Sequence, residues 1–216
     1  MQTRKTTLVI AFAAVAWLGV LLQLYLSARL GVANGKGIAG GIVAFFGYFT
    51  VLTNILVAVA LTAPLLAPAS PVGRFFLRSS VMTGVATSIT LVGIAYHLLL
   101  RNIWAPQGLQ LLADVVLHYA VPFAYVVYWW LAVPKESLRW VDAFTWSVYP
   151  AAYVAYALAR GALIGSYPYP FIDVTSIGYQ QTLLNALGLL MVFIAMGLLF
   201  VAVGGASSRQ RLASVR

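Results

Sequence analysis

Cysteine and charged residues are what this sequence of 216 residues most lacks. Without any cysteine, the chain cannot form disulfide bridges, thiolate zinc sites, iron–sulfur clusters or a cysteine nucleophile. Charged residues make up only 8% of the chain, whereas soluble domains carry about 25%. The hydrophobic fraction is 62% and the mean hydropathy is +0.94. This composition argues against a soluble fold and indicates a polytopic membrane protein.

Six apolar runs are long enough to cross a bilayer core of about 30 Å as helices. They lie at residues 7–28, 38–67, 77–100, 109–133, 143–163 and 177–203. We therefore predict an all-α protein with a single six-helix transmembrane domain over residues 1–204. A polar, basic tail over residues 205–216 follows, and we expect it to be disordered. The first run is longer than a typical signal peptide core, so we predict a retained first helix.

The distribution of basic residues predicts the orientation. The net charge of +9 does not predict binding to nucleic acid, because the basic residues lie between apolar runs rather than on one face. Nine of the 13 basic residues belong to the two termini and the second and fourth loops. The other four lie on the opposite side of the membrane: Arg29, Lys36, Arg101 and Arg160. The positive-inside rule therefore predicts that both termini are cytoplasmic.

Two ionisable residues lie deep in the fourth predicted span. Asp114 and His118 are four residues apart, so they share a helix face, and burying them in hydrocarbon is costly. A carboxylate beside an imidazole can hold one tautomer of the ring and make it a better general base. The alternative is a structural pair that satisfies itself and fixes helix packing.

The second predicted span carries a polar face at YFTVLTN. Thr50, Thr53 and Asn54 fall within about 100° of one helix face. The alternative role for threonine is local, because its hydroxyl often bonds to the carbonyl four residues earlier or joins neighbouring helices. Thr50 lies about 18 Å, and His118 about 13 Å, from the outer end of its span. If these two helices face each other, the two side chains can meet in a cavity that opens outward.

Further polar residues are predicted near the same depth or at the outer surface. Gln23 and Asn185 fall in the outer halves of the first and last spans. The loop GSYPYPFIDV at 165–174 is too apolar for a solvated loop, so we expect it to lie on the membrane or to cap the cavity. His97 lies near Arg101 at the end of its span, where we expect it to reach towards the interface.

Several classes of membrane protein are excluded. Retinal proteins need a lysine within a span, and di-haem cytochromes need more than the 2 histidines present. A single haem between His97 and His118 is an alternative that no pattern favours. The motifs of intramembrane serine proteases, lipases and nucleotide-binding proteins are absent, and no spacing suggests a metal site. We therefore expect no cofactor and no metal.

Three segments, in this order, resemble the androgen-induced protein family, including its bacterial six-span relatives. They are YFTVLTN (48–54), LHYAVPF (117–123) and YPYPFID (167–173). Mammalian members of this family are intramembrane threonine hydrolases that cleave fatty acid esters of hydroxy fatty acids with one threonine and one histidine. The resemblance therefore implies Thr50 as nucleophile and His118 as general base, with Thr53 as an alternative nucleophile. It also implies a multi-pass protein of a bacterial plasma membrane.

The resulting hypothesis is a lipid-ester hydrolase acting in the outer half of the bilayer. His118 would take the proton from Thr50, and Asp114 would orient His118. Asn54 or the Thr53 hydroxyl would donate to the oxyanion. The expected partners are the lipid bilayer and an ester substrate that enters laterally from it, with no nucleic acid. The alternative is a non-catalytic membrane carrier or scaffold that binds a small amphiphile.

Overall fold

The computed structural model describes the backbone of residues 2–213 and the side chains of residues 6–206. Within residues 2–213 the chain is helical and contains no strand, which confirms the predicted all-α class. The α-helices of this part are α1 (Gln2–Ala33), α2 (Gly37–Phe45), α3 (Phe49–Leu66), α4 (Pro71–Phe76), α5 (Ser79–Ala95), α6 (Gly108–Val115), α7 (Val121–Ala132), α8 (Trp140–Trp146), α9 (Val148–Ile164) and α10 (Val174–Ala213).

Long apolar helices dominate the described part of the chain. Five of them are long and apolar enough to cross a membrane: Thr6–Ala33, Phe49–Leu66, Ser79–Leu100, Gly108–Ala132 and Val174–Ala206. This fits an integral, multi-pass membrane protein. The fifth predicted run, 143–163, is interrupted at Ser147 between α8 and α9. Pro150 explains the interruption, because proline has no backbone N–H to donate and its ring clashes with the carbonyl group of Trp146, four residues earlier.

The prediction of one long helix over 38–67 is wrong. The helix breaks between α2 and α3, where Tyr48 is extended, with ψ of 130°. Side chains of α9 bond to the carbonyl groups at the end of α2: Arg160 to Val43 O at 2.9 Å, Tyr156 to Phe46 O at 3.2 Å and Tyr153 to Gly47 O at 2.9 Å. These donors satisfy carbonyls that a continuous helix would have bonded internally. The break makes Thr50 part of the first turn of a new helix.

Two π-helical turns adjust the helices around the centre of the molecule. Tyr96–Leu100 continues α5, and Val116–Ala120 joins α6 to α7. Pro122 explains the second turn, because it cannot donate to the carbonyl of His118 four residues earlier. The rings of Tyr96 and His118, one from each turn, stack with centroids 3.8 Å apart. Such turns are frequent at functional sites.

The last helix extends further than the sequence predicts. We expected residues 205–216 to be disordered, but α10 continues to Ala213, and residues 214–216 lie outside the described part. The segment contains no proline, so its backbone can continue as a helix. Near its other end α10 is kinked at Gly178, where φ is 73°, a conformation that glycine adopts readily.

Candidate functional site

Two cavities meet at Thr50. The larger, of about 480 Å³, lies among α1, α2, α3, α6 and the loop after α9. The smaller, of about 280 Å³, lies among α3, α5, α9 and α10 and has an apolar lining. Thr50, Tyr96, Leu100 and Tyr169 line both cavities. We call them the polar cavity and the apolar cavity.

The polar cavity collects most of the residues that the sequence singled out. Thr50, His118, Asp114 and Gln23 all line it. Gln23 Oε1 accepts a hydrogen bond from Gln110 Nε2 at 3.0 Å. Asn185 is not one of the described residues that line the two cavities.

His118 is held so that one of its ring nitrogens is available to accept a proton. Its Nδ1 lies 2.9 Å from the backbone oxygen of Asp114 and 3.3 Å from Asp114 Oδ1. The carbonyl oxygen can only accept, so Nδ1 carries the proton in the neutral ring, and Nε2 has the free electron pair. This is the tautomer that a general base needs.

Asp114 is fixed from two sides. Its side chain is 3% exposed, and the Tyr96 hydroxyl donates a hydrogen bond to its Oδ2. The Tyr96 ring also stacks on His118 with an interplanar angle of 15°. Tyr96, Asp114 and His118 therefore form one rigid cluster on the wall of the polar cavity.

The N–H and hydroxyl groups of Thr50 form hydrogen bonds with Tyr169 rather than with His118. Its N–H donates to the Tyr169 hydroxyl at 3.2 Å, and its Oγ1 lies 3.3 Å from the same hydroxyl oxygen. Among the hydrogen bonds of the described side chains, none joins Thr50 to His118. Thr50 lies in the first turn of α3, where backbone N–H groups have no helical acceptor and the helix dipole is positive.

The predicted supporting residues of α3 point elsewhere. Thr53 is fully buried, and its Oγ1 lies 3.0 Å from the Tyr149 hydroxyl. Asn54 Nδ2 donates to Thr50 O at 2.8 Å and to Leu117 O at 3.2 Å. Neither residue lines either cavity, so this geometry does not favour the prediction that they donate to an oxyanion. Asn54 instead ties α3 to the second π-helical turn.

The loop at 165–174 forms part of the cavity walls. Pro168, Tyr169 and Pro170 line the polar cavity, while Tyr169, Phe171 and Ile172 line the apolar one. The sequence predicted that this loop lies on the membrane or caps the cavity, but it did not distinguish Tyr169 from its neighbours. The loop is anchored to α10, because Asn185 Nδ2 donates to Phe171 O at 2.9 Å.

His97 lies outside both cavities. It is exposed, with Nδ1 3.2 Å from the Tyr119 hydroxyl and Nε2 3.1 Å from Arg101. Within the described residues, no three His, Asp or Glu side chains lie close enough to hold a metal ion. The polar groups around Thr50 are the hydroxyls of Tyr96 and Tyr169, the imidazole of His118 and the carboxylate of Asp114, with amide side chains such as Gln23 and Gln110 elsewhere on the wall of the polar cavity.

Within residues 2–213 the chain is helical, with five helices long and apolar enough to cross a membrane and an internal polar site between them. Comparison of the chain with protein-family models, curated proteins and solved structures gives no match. A function must therefore be inferred from the chemistry of the site itself.

Proposed function

We propose that this protein is an intramembrane lipid-ester hydrolase in which Thr50 is the nucleophile and His118 is the general base. The observation that carries the proposal is the position of Thr50 where a polar and an apolar cavity meet. A lipid ester has a polar bond joined to a long apolar chain. Such a molecule can place its acyl chain in the apolar cavity and its ester bond beside Thr50.

The groups present can carry out acyl transfer. His118 Nε2 takes the proton from Thr50 Oγ1, which attacks the ester carbonyl. The C–O bond of the ester breaks, and His118 returns the proton to the departing alcohol. Water, activated by the same nitrogen, then releases the fatty acid from Thr50. Because no hydrogen bond joins His118 to Thr50 among the described residues, the hydroxyl must turn from Tyr169 towards the base when substrate binds.

The apolar cavity has a wall that faces the surrounding lipid. Leu183 and Leu187 of α10 line this cavity, and they are 55% and 56% exposed. An acyl chain can therefore enter between these side chains from the hydrocarbon. This supports lateral entry of the substrate.

We also propose six spans with both termini in the cytoplasm of a bacterial cell, in its plasma membrane. The sixth crossing would consist of α9, whose 17 residues give about 25 Å of helix. An even number of crossings agrees with the excess of basic residues on the side of the termini. Tagging each loop for accessibility from outside intact cells tests this topology.

A non-catalytic carrier or scaffold for a small amphiphile is the second candidate. One observation favours it: Thr50 Oγ1 contacts Tyr169 rather than the base. On this alternative, the cavities bind an amphiphile without cleaving it. Asp114 and His118 then matter for stability or binding, and Thr50 has no special importance.

Labelling of the purified protein with a fluorophosphonate probe separates the two candidates. We expect labelling of the wild type, and none of Thr50→Ala or His118→Ala. Thr53→Ala is the matched control, because it removes the same group one turn away, and we expect it to be labelled. Equal labelling of all four proteins contradicts the proposal. A wild type that binds a fatty acid but is never labelled favours the carrier.

A further inference from the structure

We infer that Tyr169 is a further catalytic residue, whose hydroxyl donates a hydrogen bond to the oxyanion formed when Thr50 attacks an ester carbonyl. This inference rests on the proposed hydrolase function. It assigns a role that the sequence pattern had given to Asn54 or Thr53, both of which are engaged elsewhere.

The position of the Tyr169 hydroxyl supports this role. The Tyr169 hydroxyl oxygen is 3.2 Å from Thr50 N and 3.3 Å from Thr50 Oγ1. In the tetrahedral intermediate, the oxyanion is attached to the carbon that has just bonded to Oγ1, so it lies close to that atom. A donor that contacts both the nucleophile and its backbone N–H is therefore within reach of the oxyanion.

Substrate binding allows the hydrogen bonds of Thr50 and Tyr169 to be exchanged. In the described structure the Tyr169 oxygen accepts the Thr50 N–H. An ester carbonyl oxygen can replace it as that acceptor, and the hydroxyl proton of Tyr169 can then point to the same oxygen. The oxyanion would then receive two hydrogen bonds at the positive end of α3. No covalent bond to Tyr169 forms or breaks.

The Tyr169 side chain is held in place before any charge develops, as a catalytic donor must be. The Tyr169 ring stacks on Phe171 at 5.1 Å between centroids and meets Tyr48 edge-on at 5.7 Å. Prolines on both sides, Pro168 and Pro170, restrict the backbone. Burial also raises the pKa of the Tyr169 phenol above its usual value, so the group keeps its proton at neutral pH.

The test compares Tyr169→Phe with Tyr153→Phe in purified protein. Tyr153 is the matched control, because it is equally buried and lines the apolar cavity. Its hydroxyl donates to Gly47 O rather than to Thr50. The measurements are kcat and KM for a p-nitrophenyl acyl ester, and affinity for a trifluoromethyl ketone, which forms a tetrahedral adduct with the nucleophile.

We expect Tyr169→Phe to lower kcat by about 10²–10³, as for other single oxyanion donors, with KM little changed. Affinity for the ketone should fall by a similar factor, while binding of a fatty acid product stays the same. Tyr153→Phe should change kcat less than Tyr169→Phe. Activity of Tyr169→Phe at or above the wild-type level would overturn the inference and show that the hydroxyl only occupies the site.

Two further measurements distinguish a failure of the inference from a loss of folding and from a failure of the proposed function. If Tyr169→Phe unfolds, 3-fluorotyrosine at position 169 takes its place, because it keeps the contacts of the ring and makes the hydroxyl a stronger hydrogen-bond donor. This variant should raise kcat, and an unchanged kcat overturns the inference. If the wild type shows no turnover dependent on Thr50, the proposed function itself fails. Turnover that depends on Thr50 but not on the Tyr169 hydroxyl defeats the inference alone.

Discussion

Asparagine in place of Asp114 removes a charge beside His118 and keeps the shape of the side chain. The backbone oxygen of residue 114 still accepts the Nδ1 proton of His118 at 2.9 Å, so the ring keeps its tautomer. The Tyr96 hydroxyl, which now donates to Asp114 Oδ2, can rotate and accept from the new amide. Asp114→Asn therefore isolates the electrostatic contribution of the carboxylate.

The size of that contribution follows from the distance between the two groups. Asp114 Oδ1 lies 3.3 Å from His118 Nδ1, and full charges at this separation attract by about 5 kcal/mol at an effective dielectric constant of about 20. With the proton about half transferred, the loss is about 2.5 kcal/mol, which corresponds to about 10² in rate. In Ser-His-Asp enzymes the same substitution costs about 10⁴, because the wrong tautomer forms.

The assay is the rate constant for fluorophosphonate labelling at saturating probe. Asp142→Asn is the control, because Asp142 is also buried but caps α8, where Oδ2 accepts from Arg139 N at 2.9 Å. We expect a loss of about 10² for Asp114→Asn and little change for Asp142→Asn. A loss near 10⁴ would show that the carboxylate, rather than the backbone oxygen, fixes the tautomer. No loss would refute the coupling between Asp114 and the base.

The remaining predictions concern the apolar cavity and the end of α7. Ala186→Phe should fill part of the apolar cavity, which Ala186 lines. It should therefore abolish turnover of long-chain esters, while a small probe still labels Thr50. The control Ala202→Phe, on the exposed face of α10, should change neither the turnover nor the labelling. Lys135→Ala should lower the free energy of unfolding in detergent by about 1–3 kcal/mol, because Lys135 Nζ donates to three carbonyls around the end of α7. An unchanged thermal midpoint would contradict the second prediction.

Local pattern was enough to predict several features. Hydropathy alone locates the long helices α1, α5 and α10, because a bilayer core demands about 20 apolar residues in succession. The four-residue spacing of Asp114 and His118 predicts their contact, because it is set by helix geometry. These features depend on residues that are close together in the sequence.

Features that depend on distant residues could not be predicted. No proline or charged residue lies between positions 38 and 63 of this run, and the break at Tyr48 depends on donors from α9, such as Tyr153 and Arg160. Tyr169 resembles its neighbours in an aromatic loop, and its contact with Thr50 exists only because α3 begins beside that loop. Contacts between residues about a hundred positions apart leave no periodic pattern in the sequence.

Identifying the residue that the probe modifies tests directly whether Thr50 is the nucleophile. The wild-type protein is labelled with a fluorophosphonate, digested, and mapped by mass spectrometry to a single residue. We expect an adduct on Thr50, the residue where the two cavities meet. An adduct on Thr53, or on any residue outside the two cavities, would contradict it.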